Sequence, residues 1–250
     1  MIMNKACELE DFDNEELLSC IRTYLPSPSH AGEQWPRGHE DRKLWEIAMS
    51  IIAAQRHVGQ GRREVALGIG AGKEATTFIL TNLFKQVIAT DLYGGDWSSD
   101  APRTMIYEPE RFAQGVKWRV ERLSVRHMDA RDMRMEDGSV DFIYSSSSLE
   151  HFGTLDEISA AVREMTRVLR VGGVISLSTE LLLTGQQPWL NENTYLFTES
   201  VLNEAVIQAS HCLQIGGQKC GVSETTLRHE TSFIQALSDL RTDRGRLGTC

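Results

Sequence analysis

The hydrophobic and polar positions of the chain predict short buried strands that alternate with amphipathic helices. Apolar runs of five or six residues, bounded by turn residues, are typical of buried strands. Such runs lie at 65–69, 86–91, 123–128, 140–144 and 174–179. Apolar residues at helical spacing occur between several of these runs, and alternating strands and helices indicate the α/β class. The pattern therefore predicts an α/β fold.

The predicted helices have recognisable ends. Apolar stripes predict helices at 15–24, about 40–56, 73–84, 155–169 and 198–209. Thr154 and Glu157 have the spacing of a capping box at the start of the fourth helix, and Thr198 is a suitable N-cap for the fifth. We expect the glycines at 172–173 to end the fourth helix, and two weaker strands to lie within 211–230.

The chain divides into an N-terminal helical extension at 1–57 and one globular unit at 58–250. A chain of this length is expected to form a single α/β domain with a full core. The extension is interpreted as a cap over the sheet, since apolar helical stripes are usually core. The alternative is that His39, Arg42 and Trp45 reach from it into a substrate pocket.

A long loop is predicted at 92–121, directly after the second strand. It contains many turn residues and three aromatic ones, Tyr93, Trp97 and Trp118. Loops of this length are uncommon in compact domains unless they are functional. We interpret the loop as a lid or wall beside a ligand site, with a short helix at 108–114. Disorder is the alternative, which the aromatic residues disfavour.

Composition and charge exclude several classes of partner. The 250 residues carry a net charge of −9, which argues against a large nucleic-acid interface and against docking on an anionic membrane. The five cysteines form no C-x-x-C pair and no zinc-site spacing, so reduced thiols in a cytoplasmic protein are expected. No leader pattern and no apolar run of about 18 residues is present, so no membrane span is predicted.

The candidate chemistry begins at a glycine-rich turn. Gly68, Gly70 and Gly72 follow the apolar run at 65–69 and precede the helix that starts near Lys73. Glycine adopts positive φ angles without penalty and lets a ligand approach the bare backbone. The start of a helix offers unpaired N–H groups and a partial positive charge. We therefore expect this turn to hold the polar part of a cofactor.

The spacing of these glycines excludes two common ligand sites. A dinucleotide-binding turn, G-x-G-x-x-G, would need glycine where the chain has Lys73. A phosphate-binding loop, G-x-x-x-x-G-K-[ST], would need glycine at Leu67 and a hydroxyl residue at Glu74. A G-x-G-x-G turn remains. Glycine-rich turns also connect strands to helices without binding any ligand, and that alternative stays open on this motif alone.

Two aspartates follow later strands at positions suited to an adenosine. Asp91 ends the second strand, 19 residues after Gly72. A carboxylate there can accept hydrogen bonds from both ribose hydroxyls. Asp129 follows the third strand and could accept the adenine amino group. The alternative for both residues is a structural role in capping a turn.

Six segments in order resemble the motifs of class I S-adenosylmethionine-dependent methyltransferases, in the branch called the type 11 methyltransferase domain. They are Leu67–Gly72, Ala89–Asp91, Met128–Ala130, Val140–Ile143, Ser148–Phe152 and Arg167–Gly173. The resemblance covers roughly residues 62–182. Several motifs in order are more specific than one glycine turn. The chain departs from the family at Ala66, where an acid that helps to order the turn is usual.

The resemblance implies a Rossmann-like three-layer sandwich, with a seven-stranded, mostly parallel sheet and helices on both faces. It also implies S-adenosyl-L-methionine as the cofactor, bound at the carboxyl ends of the central strands. The residues expected to bind it are Gly68, Gly70, Gly72, Asp91, Leu92, Asp129, Ala130, Ser145 and Ser146.

Methyl transfer to a hydroxyl group benefits from a nearby base. His151, just past the fourth strand, is the first candidate, and Glu180, at the end of the fifth, is the second. The alternative for His151 is that it only shapes the pocket. No acidic triad suited to a metal ion is evident, so no metal is expected.

The resemblance favours a small hydroxylated acceptor. Ser145–Ser148 stands where DNA amino-methyltransferases carry Asn/Asp-Pro-Pro, so nucleic acid is disfavoured. The segments 90–93 and 179–181 are similar to methyltransferases of surface-glycan assembly, which makes a sugar hydroxyl the first choice. The alternatives are a small-metabolite amine or carboxylate and a non-catalytic cofactor-binding partner module. The sequence does not indicate the oligomeric state.

Overall fold

A computed structural model describes residues 2–29, 31–32, 34–95, 98–183, 189–191, 194–228, 234–236 and 246–249. The strands are β1 Asn4–Lys5, β2 Val65–Ile69, β3 Gln86–Asp91, β4 Leu123–His127, β5 Val140–Ser146, β6 Leu169–Ser178, β7 Glu180–Leu182, β8 Trp189–Asn191, β9 Thr194–Leu196, β10 Gln218–Lys219, β11 Ile234–Ala236 and β12 Arg246–Thr249. The helices are α1 Glu15–Tyr24, α2 Arg42–His57, α3 Ala75–Leu80, α4 Leu155–Val168, α5 Glu199–Leu202, which continues as a π-helix at Asn203–Gln208, and α6 Glu224–Arg228.

The main sheet has the strand order β4-β3-β2-β5-β6, and all of its neighbouring strands are parallel. The α/β class is confirmed. The sheet holds five strands within the described residues rather than the seven that the resemblance implies. β7 lies instead in a separate antiparallel sheet with β12 and β11. The strand order reverses between β2 and β5, and ligands of parallel sheets bind at the carboxyl ends beside such a reversal.

Helices cover both faces of the sheet, as expected. Side chains of successive strand residues point to opposite faces. Phe142 and Tyr144 of β5 pack with residues of α2 and α3, whereas Ile143 packs with residues of α4 and α5. The carboxyl ends of β2 and β5 therefore lie between two layers of helices.

The boundaries of several elements follow their predicted caps. Thr154 and Glu157 form the capping box of α4, and the side chain of Thr198 accepts a hydrogen bond from the backbone of Val201. The prediction that the glycines at 172–173 end the fourth helix is wrong. α4 ends at Val168, and β6 takes up the glycines in an irregularity where its register against β5 shifts.

The expectation of two weaker strands at 211–230 is only half met. The two-residue strand β10 pairs with β1 in the N-terminal extension. α6 occupies the second position, because the Ser223 hydroxyl accepts a hydrogen bond from the backbone N–H of Thr226 and so starts a helical turn. The hydroxyl of Ser223 therefore favours a helix at Glu224–Arg228 over the predicted strand.

The loop at 92–121 is packed against the rest of the fold through several buried side chains. Its described part contains short 3₁₀ turns, one of which, Pro109–Phe112, lies within the helix predicted at 108–114. Tyr93, Met105 and Val116 are buried, and the ring of Trp118 meets that of Phe78 edge-on with centroids 5.2 Å apart. Trp97 lies outside the described residues. A role as lid or wall stays a prediction.

Candidate active site

The glycine turn adopts a backbone that favours glycine at two positions. Gly70 and Gly72 have φ angles of +58° and +46°. A β-carbon at Gly72 would lie 2.7 Å from the carbonyl oxygen of Asp100, so the neighbouring loop also requires glycine there. Gly68 differs, since its φ is ordinary but a β-carbon would lie 2.4 Å from the Tyr144 hydroxyl oxygen. The structure therefore explains all three glycines by local geometry, and their role toward a cofactor stays a prediction.

Asp91 is joined directly to the glycine turn. One carboxylate oxygen accepts a hydrogen bond from the N–H of Gly72 at 2.9 Å, and the other accepts one from the N–H of Leu92 at 2.7 Å. Burial raises the pKa of this carboxyl, although the backbone donors act in the opposite direction. The backbone of Tyr93 is a third donor to this carboxylate, and an ionised carboxylate offers about four acceptor positions. The carboxylate can therefore accept hydrogen bonds from a ligand while it orders the turn.

Asp129 follows β4, the strand that neighbours β3, and its carboxylate is paired with an arginine. Arg131 donates to its carboxylate at 2.8 Å, and this guanidinium lowers the pKa of Asp129. The same Arg131 reaches Glu157 at the start of α4. Ala130 is partly buried against the core cluster on the α4 side. The carboxylate of Asp129 is thus engaged, and a contact to adenine would have to share it with Arg131.

The four serines after β5 fall into two kinds. Ser147 donates to the buried carboxylate of Glu46 at 2.8 Å, and Ser148 donates to the carbonyl oxygen of Gly70 at 2.7 Å. Ser145 and Ser146 are buried, and within the described part of the chain neither hydroxyl has a hydrogen-bond partner. A buried hydroxyl without a partner is costly. Ser145 and Ser146 are therefore candidates for contact with a ligand or an ordered water.

His151 lies in a short 3₁₀ turn after β5 and is half-buried. Its Nδ1 lies 3.3 Å from the hydroxyl of Thr194 in β9. Glu180 is buried at the start of β7, and its carboxylate pairs with Arg42 at 2.5 Å. Burial raises the pKa of Glu180, although Arg42 acts in the opposite direction. The two candidate bases therefore stand in different surroundings, one beside a hydroxyl and one in an ion pair.

The three residues of the extension that were proposed to reach a substrate pocket, His39, Arg42 and Trp45, lie in different surroundings. Arg42 reaches Glu180, as the substrate-pocket alternative would require. Trp45 is buried and donates from its indole nitrogen to Asp11, so it belongs to the core of the extension. The ring of His39 packs against Trp35 in the preceding loop, with centroids 5.8 Å apart. Both interpretations of these three residues stay predictions.

Sequence analysis assigned no role in the site to four charged residues that lie around it, Lys43, Glu46, Glu74 and Glu150. Glu46 is fully buried and pairs with Lys43 at 2.9 Å, and Lys43 also reaches Glu74 beside the glycine turn at 3.3 Å. Glu150 is buried and accepts a hydrogen bond from Thr179 at 2.8 Å. Burial and the nearby charge of Glu180 raise the pKa of Glu150 to about 8. Arg42, Glu46 and Ser50 stand four residues apart along α2, and this spacing indicates a polar face on the helix.

The residues that the structure describes contain no group of three or more His, Cys, Asp or Glu side chains arranged to hold a metal ion. None of their helices is both long and apolar enough to cross a membrane.

Comparisons with known proteins identify the central region. Residues 67–177 match the family model described as "Methyltransferase domain". A protein of Mycolicibacterium smegmatis named "probable S-adenosylmethionine-dependent methyltransferase" is 31% identical over 156 residues, which span 58% of this chain and 58% of that protein. The activity of the whole chain is therefore a separate question from the family of its domain.

Of two similar solved structures, only the first supports the fold by its TM-score. The structure of the [4+2]-cyclase SpnF is similar to this chain with a TM-score of 0.53 and 18% identity, covering 80% of this chain and 70% of that one. Phosphoethanolamine N-methyltransferase 2 of Haemonchus contortus, in complex with S-adenosyl-L-methionine, gives a TM-score of 0.48 at 17% identity over 64% of this chain and 36% of that one. The family model and the 31% identical relative show that residues 67–177 are a class I S-adenosylmethionine-dependent methyltransferase domain of the type 11 branch, whose methyl donor is S-adenosyl-L-methionine.

Proposed function

We propose that the chain transfers a methyl group to a hydroxyl of a small acceptor, with a sugar or glycan precursor as the first candidate. The observation that carries this proposal is the placement of two different sets of groups along one sheet edge. Asp91 and the glycine turn lie at the ends of β3 and β2, and the polar groups around His151 and Glu180 follow β5 and β6. One set is suited to a nucleoside and the other to a polar acceptor.

The residues present are compatible with the cofactor. When bound, S-adenosyl-L-methionine supplies a methyl group that is already electrophilic, so the protein need not activate a leaving group. Asp91 would accept hydrogen bonds from the ribose hydroxyls, and the partnerless hydroxyls of Ser145 and Ser146 would face the cofactor or its neighbour. The positive φ angles of Gly70 and Gly72 bend the backbone sharply at this sheet edge, which supports a role of the turn in shaping the cofactor site.

The chain must then orient the acceptor and remove its proton. Methyl transfer needs the acceptor oxygen aligned with the methyl group at about 3–3.5 Å. His151 is the preferred base, because Glu180 is engaged by Arg42. The Arg42–Glu180 pair and the Ser147–Glu46 pair supply further donors and acceptors in the segments that follow β6 and β5. These groups favour an acceptor with several hydroxyls. A charged acceptor would compete for one partner of the Arg42–Glu180 ion pair.

Two alternatives remain. A small-metabolite amine or carboxylate would use the same cofactor side but would need less help from a base. A non-catalytic cofactor-binding module is the rival of a different class, and a shared fold does not decide the reaction, as the likeness to a [4+2]-cyclase illustrates. A cytoplasmic location and the absence of a nucleic-acid partner remain predictions from the sequence.

Two measurements test the proposal. Calorimetry should show tighter binding of S-adenosylhomocysteine than of NAD, and the opposite order would contradict the cofactor assignment. Mass spectrometry of acceptor pools incubated with S-adenosylmethionine should then find a mass increase of one methyl group on a hydroxylated small molecule. Cofactor binding without methylation of any pool would favour the binding module, and methylation confined to amines or carboxylates would favour the first alternative.

A further inference from the structure

We propose that a set of hydroxyl side chains, Thr90, Tyr93 and Ser148, holds the glycine turn in the shape that binds the cofactor. The three residues are positioning residues, because each acts through the backbone of the turn. Position 66, two residues before the turn, is a fully buried alanine and offers the turn no polar side chain. The inference rests on the proposed function for the identity of the cofactor but not for the identity of the acceptor.

Each of the three glycines receives one hydroxyl hydrogen bond at its carbonyl oxygen. Thr90 donates to Gly68 at 2.6 Å. Ser148 donates to Gly70 at 2.7 Å, and Tyr93 donates to Gly72 at 3.1 Å. The carbonyl groups of all three glycines, at alternate positions along the turn, are thus each held by a side-chain hydroxyl.

The donors come from both sides of β2. Thr90 lies in β3 and Tyr93 follows it, whereas Ser148 follows β5 on the other side. Thr90 and Tyr93 are buried and Ser148 is partly buried, so water competes little for these bonds. Two further bonds from the same flank, from the N–H groups of Ala71 to Thr90 and of Gly72 to Asp91, order the remaining backbone.

A fourth hydroxyl ties the turn to the helix that follows it. Tyr144 pairs with Gly68 across the β2–β5 register, and its hydroxyl oxygen lies 2.6 Å from that of Thr77 in α3. Both side chains are fully buried. The N-cap residue of α3, Glu74, makes no side-chain capping bond. The Tyr144–Thr77 pair therefore joins the first turn of α3 to β5 beside the glycine turn.

This arrangement accounts for two sequence features that the proposed function does not use. Tyr93 belongs to the loop at 92–121, so that loop reaches the cofactor turn through a named contact. Ser148 is the last of the four serines, and its hydroxyl serves the turn rather than the acceptor. A neutral hydroxyl set avoids burying an unpaired carboxylate beneath the turn, which would be costly beside the apolar cluster around Ala66.

Three variants that remove one hydroxyl each test the inference: Thr90→Val, Tyr93→Phe and Ser148→Ala. Each should weaken the binding of S-adenosylhomocysteine by about 2- to 12-fold, the range expected for one lost hydrogen bond. Thr90→Ser retains the hydroxyl and should restore most of the affinity. Calorimetry gives the dissociation constants, and thermal unfolding is followed in parallel.

Ser159→Ala is the matched control, because Ser159 donates the same kind of bond to the carbonyl oxygen of Ala205, away from the turn. It should change thermal stability but not affinity. Unchanged affinity in all three turn variants, or an equal loss in Ser159→Ala, would overturn the inference. Ser148→Ala and Tyr93→Phe remove few atoms, so they keep the test decisive if Thr90→Val does not fold.

Hydrogen exchange in the ligand-free protein separates this inference from the proposed function. The amides of Ala71 and Gly72 should exchange faster in the three turn variants than in the wild type and in Ser159→Ala. If these amides exchange faster in the turn variants but the wild type does not bind S-adenosylhomocysteine, the proposed function is refuted and the positioning role is supported. Unchanged exchange together with unchanged affinity would refute the positioning role alone.

Discussion

The guanidinium of Arg42 lies 2.5 Å from the carboxylate of Glu180, although the two residues are 138 positions apart in the chain. Arg42 is the first residue of α2 in the N-terminal extension, and Glu180 begins β7 beyond the main sheet. The pair joins the N-terminal part of the chain to the segment that follows β6. Because Glu180 is largely buried, loss of Arg42 would leave a buried carboxylate without its cation.

We predict that Arg42→Gln lowers the free energy of unfolding by about 1–3 kcal/mol, the cost of an unsatisfied buried group. The estimate is below that for a fully buried pair because Arg42 is one-third exposed. Arg111→Gln is the control, since Arg111 and Glu108 form a surface pair. Urea denaturation measures both variants. An equal, small effect of the two substitutions would show that the Arg42–Glu180 pair is only a surface contact.

Asp91 should carry recognition of the ribose. A hydrogen bond to a charged group is worth about 1.5–3 kcal/mol, so Asp91→Ala should weaken binding of S-adenosylhomocysteine by about 10- to 150-fold. Calorimetry on the folded variant measures the change, with Asp129→Ala as the comparison because Arg131 already occupies that carboxylate. A dissociation constant equal to that of the wild type would remove Asp91 from the site.

The same carboxylate should make cofactor affinity depend on pH. Burial raises the pKa of Asp91, and only its ionised form accepts hydrogen bonds at both oxygens. Affinity should therefore be full above this raised pKa and should decrease as the pH falls through it, at a higher pH than for an ordinary aspartate, which titrates near ~3.9. Calorimetry from neutral to acidic pH tests this, and Asp91→Asn should lack the acid limb.

Glu150 should make the stability of the fold decrease as the pH rises. Burial and Glu180 raise the pKa of Glu150 to about 8, whereas an unfolded glutamate titrates near ~4.3. The stabilising contribution of the protonated form is complete below the unfolded pKa and is lost as the pH rises through the folded one, by up to about 1.4 kcal/mol per pH unit.

Glu150→Gln should flatten this dependence, because an amide resembles the protonated carboxyl and can still accept the bond from Thr179. Urea denaturation of the wild type and the variant at several pH values from 5 to about 8 measures the difference. Glu224→Gln, in an exposed pair with Arg228, serves as the control. Parallel pH profiles for wild type and Glu150→Gln would show that Glu150 is ionised in the folded state throughout.

The sequence predicted the sheet and the glycine turn better than the acceptor side. Val65–Ile69 and Gln86–Asp91 have the predicted bounds, because a buried parallel strand needs an uninterrupted apolar run and little else. The link from Asp91 to Gly72 also follows from the order of adjacent strands. These features depend on residues that are close in the chain or on neighbouring strands.

The contacts of Arg42 and Glu46 could not be predicted in the same way. Glu46 lies on a helix face that the apolar stripe alone would assign to the core, and its partner Ser147 is 101 positions away. Only the packing of α2 across β5 and β6 brings these groups together. The glycines at 172–173 were misread for a related reason, since glycine ends helices and forms irregularities in strands equally well.

His151 provides the last prediction, which separates an enzyme from a binding module. If His151 removes the acceptor's proton, His151→Ala should lower turnover by ~10²–10⁴-fold while cofactor affinity changes little. An imidazole acts as a base only in its neutral form, so wild-type turnover should fall on acidification, and the residual activity of the variant should lack that dependence. Added imidazole should restore part of the lost turnover, because it can replace the missing base but not a missing pocket wall.

The measurement pairs wild type and His151→Ala, with methyl transfer followed by mass spectrometry and affinity by calorimetry. Thr194→Val is the companion variant, since Thr194 contacts the Nδ1 of His151 and would orient the ring without taking the proton. It should lower turnover less than His151→Ala does and should keep the acid limb. Wild-type turnover in His151→Ala at every pH would exclude the imidazole as the base. In that case Glu180→Gln becomes the decisive variant, because a base at Glu180 would first have to leave its ion pair with Arg42.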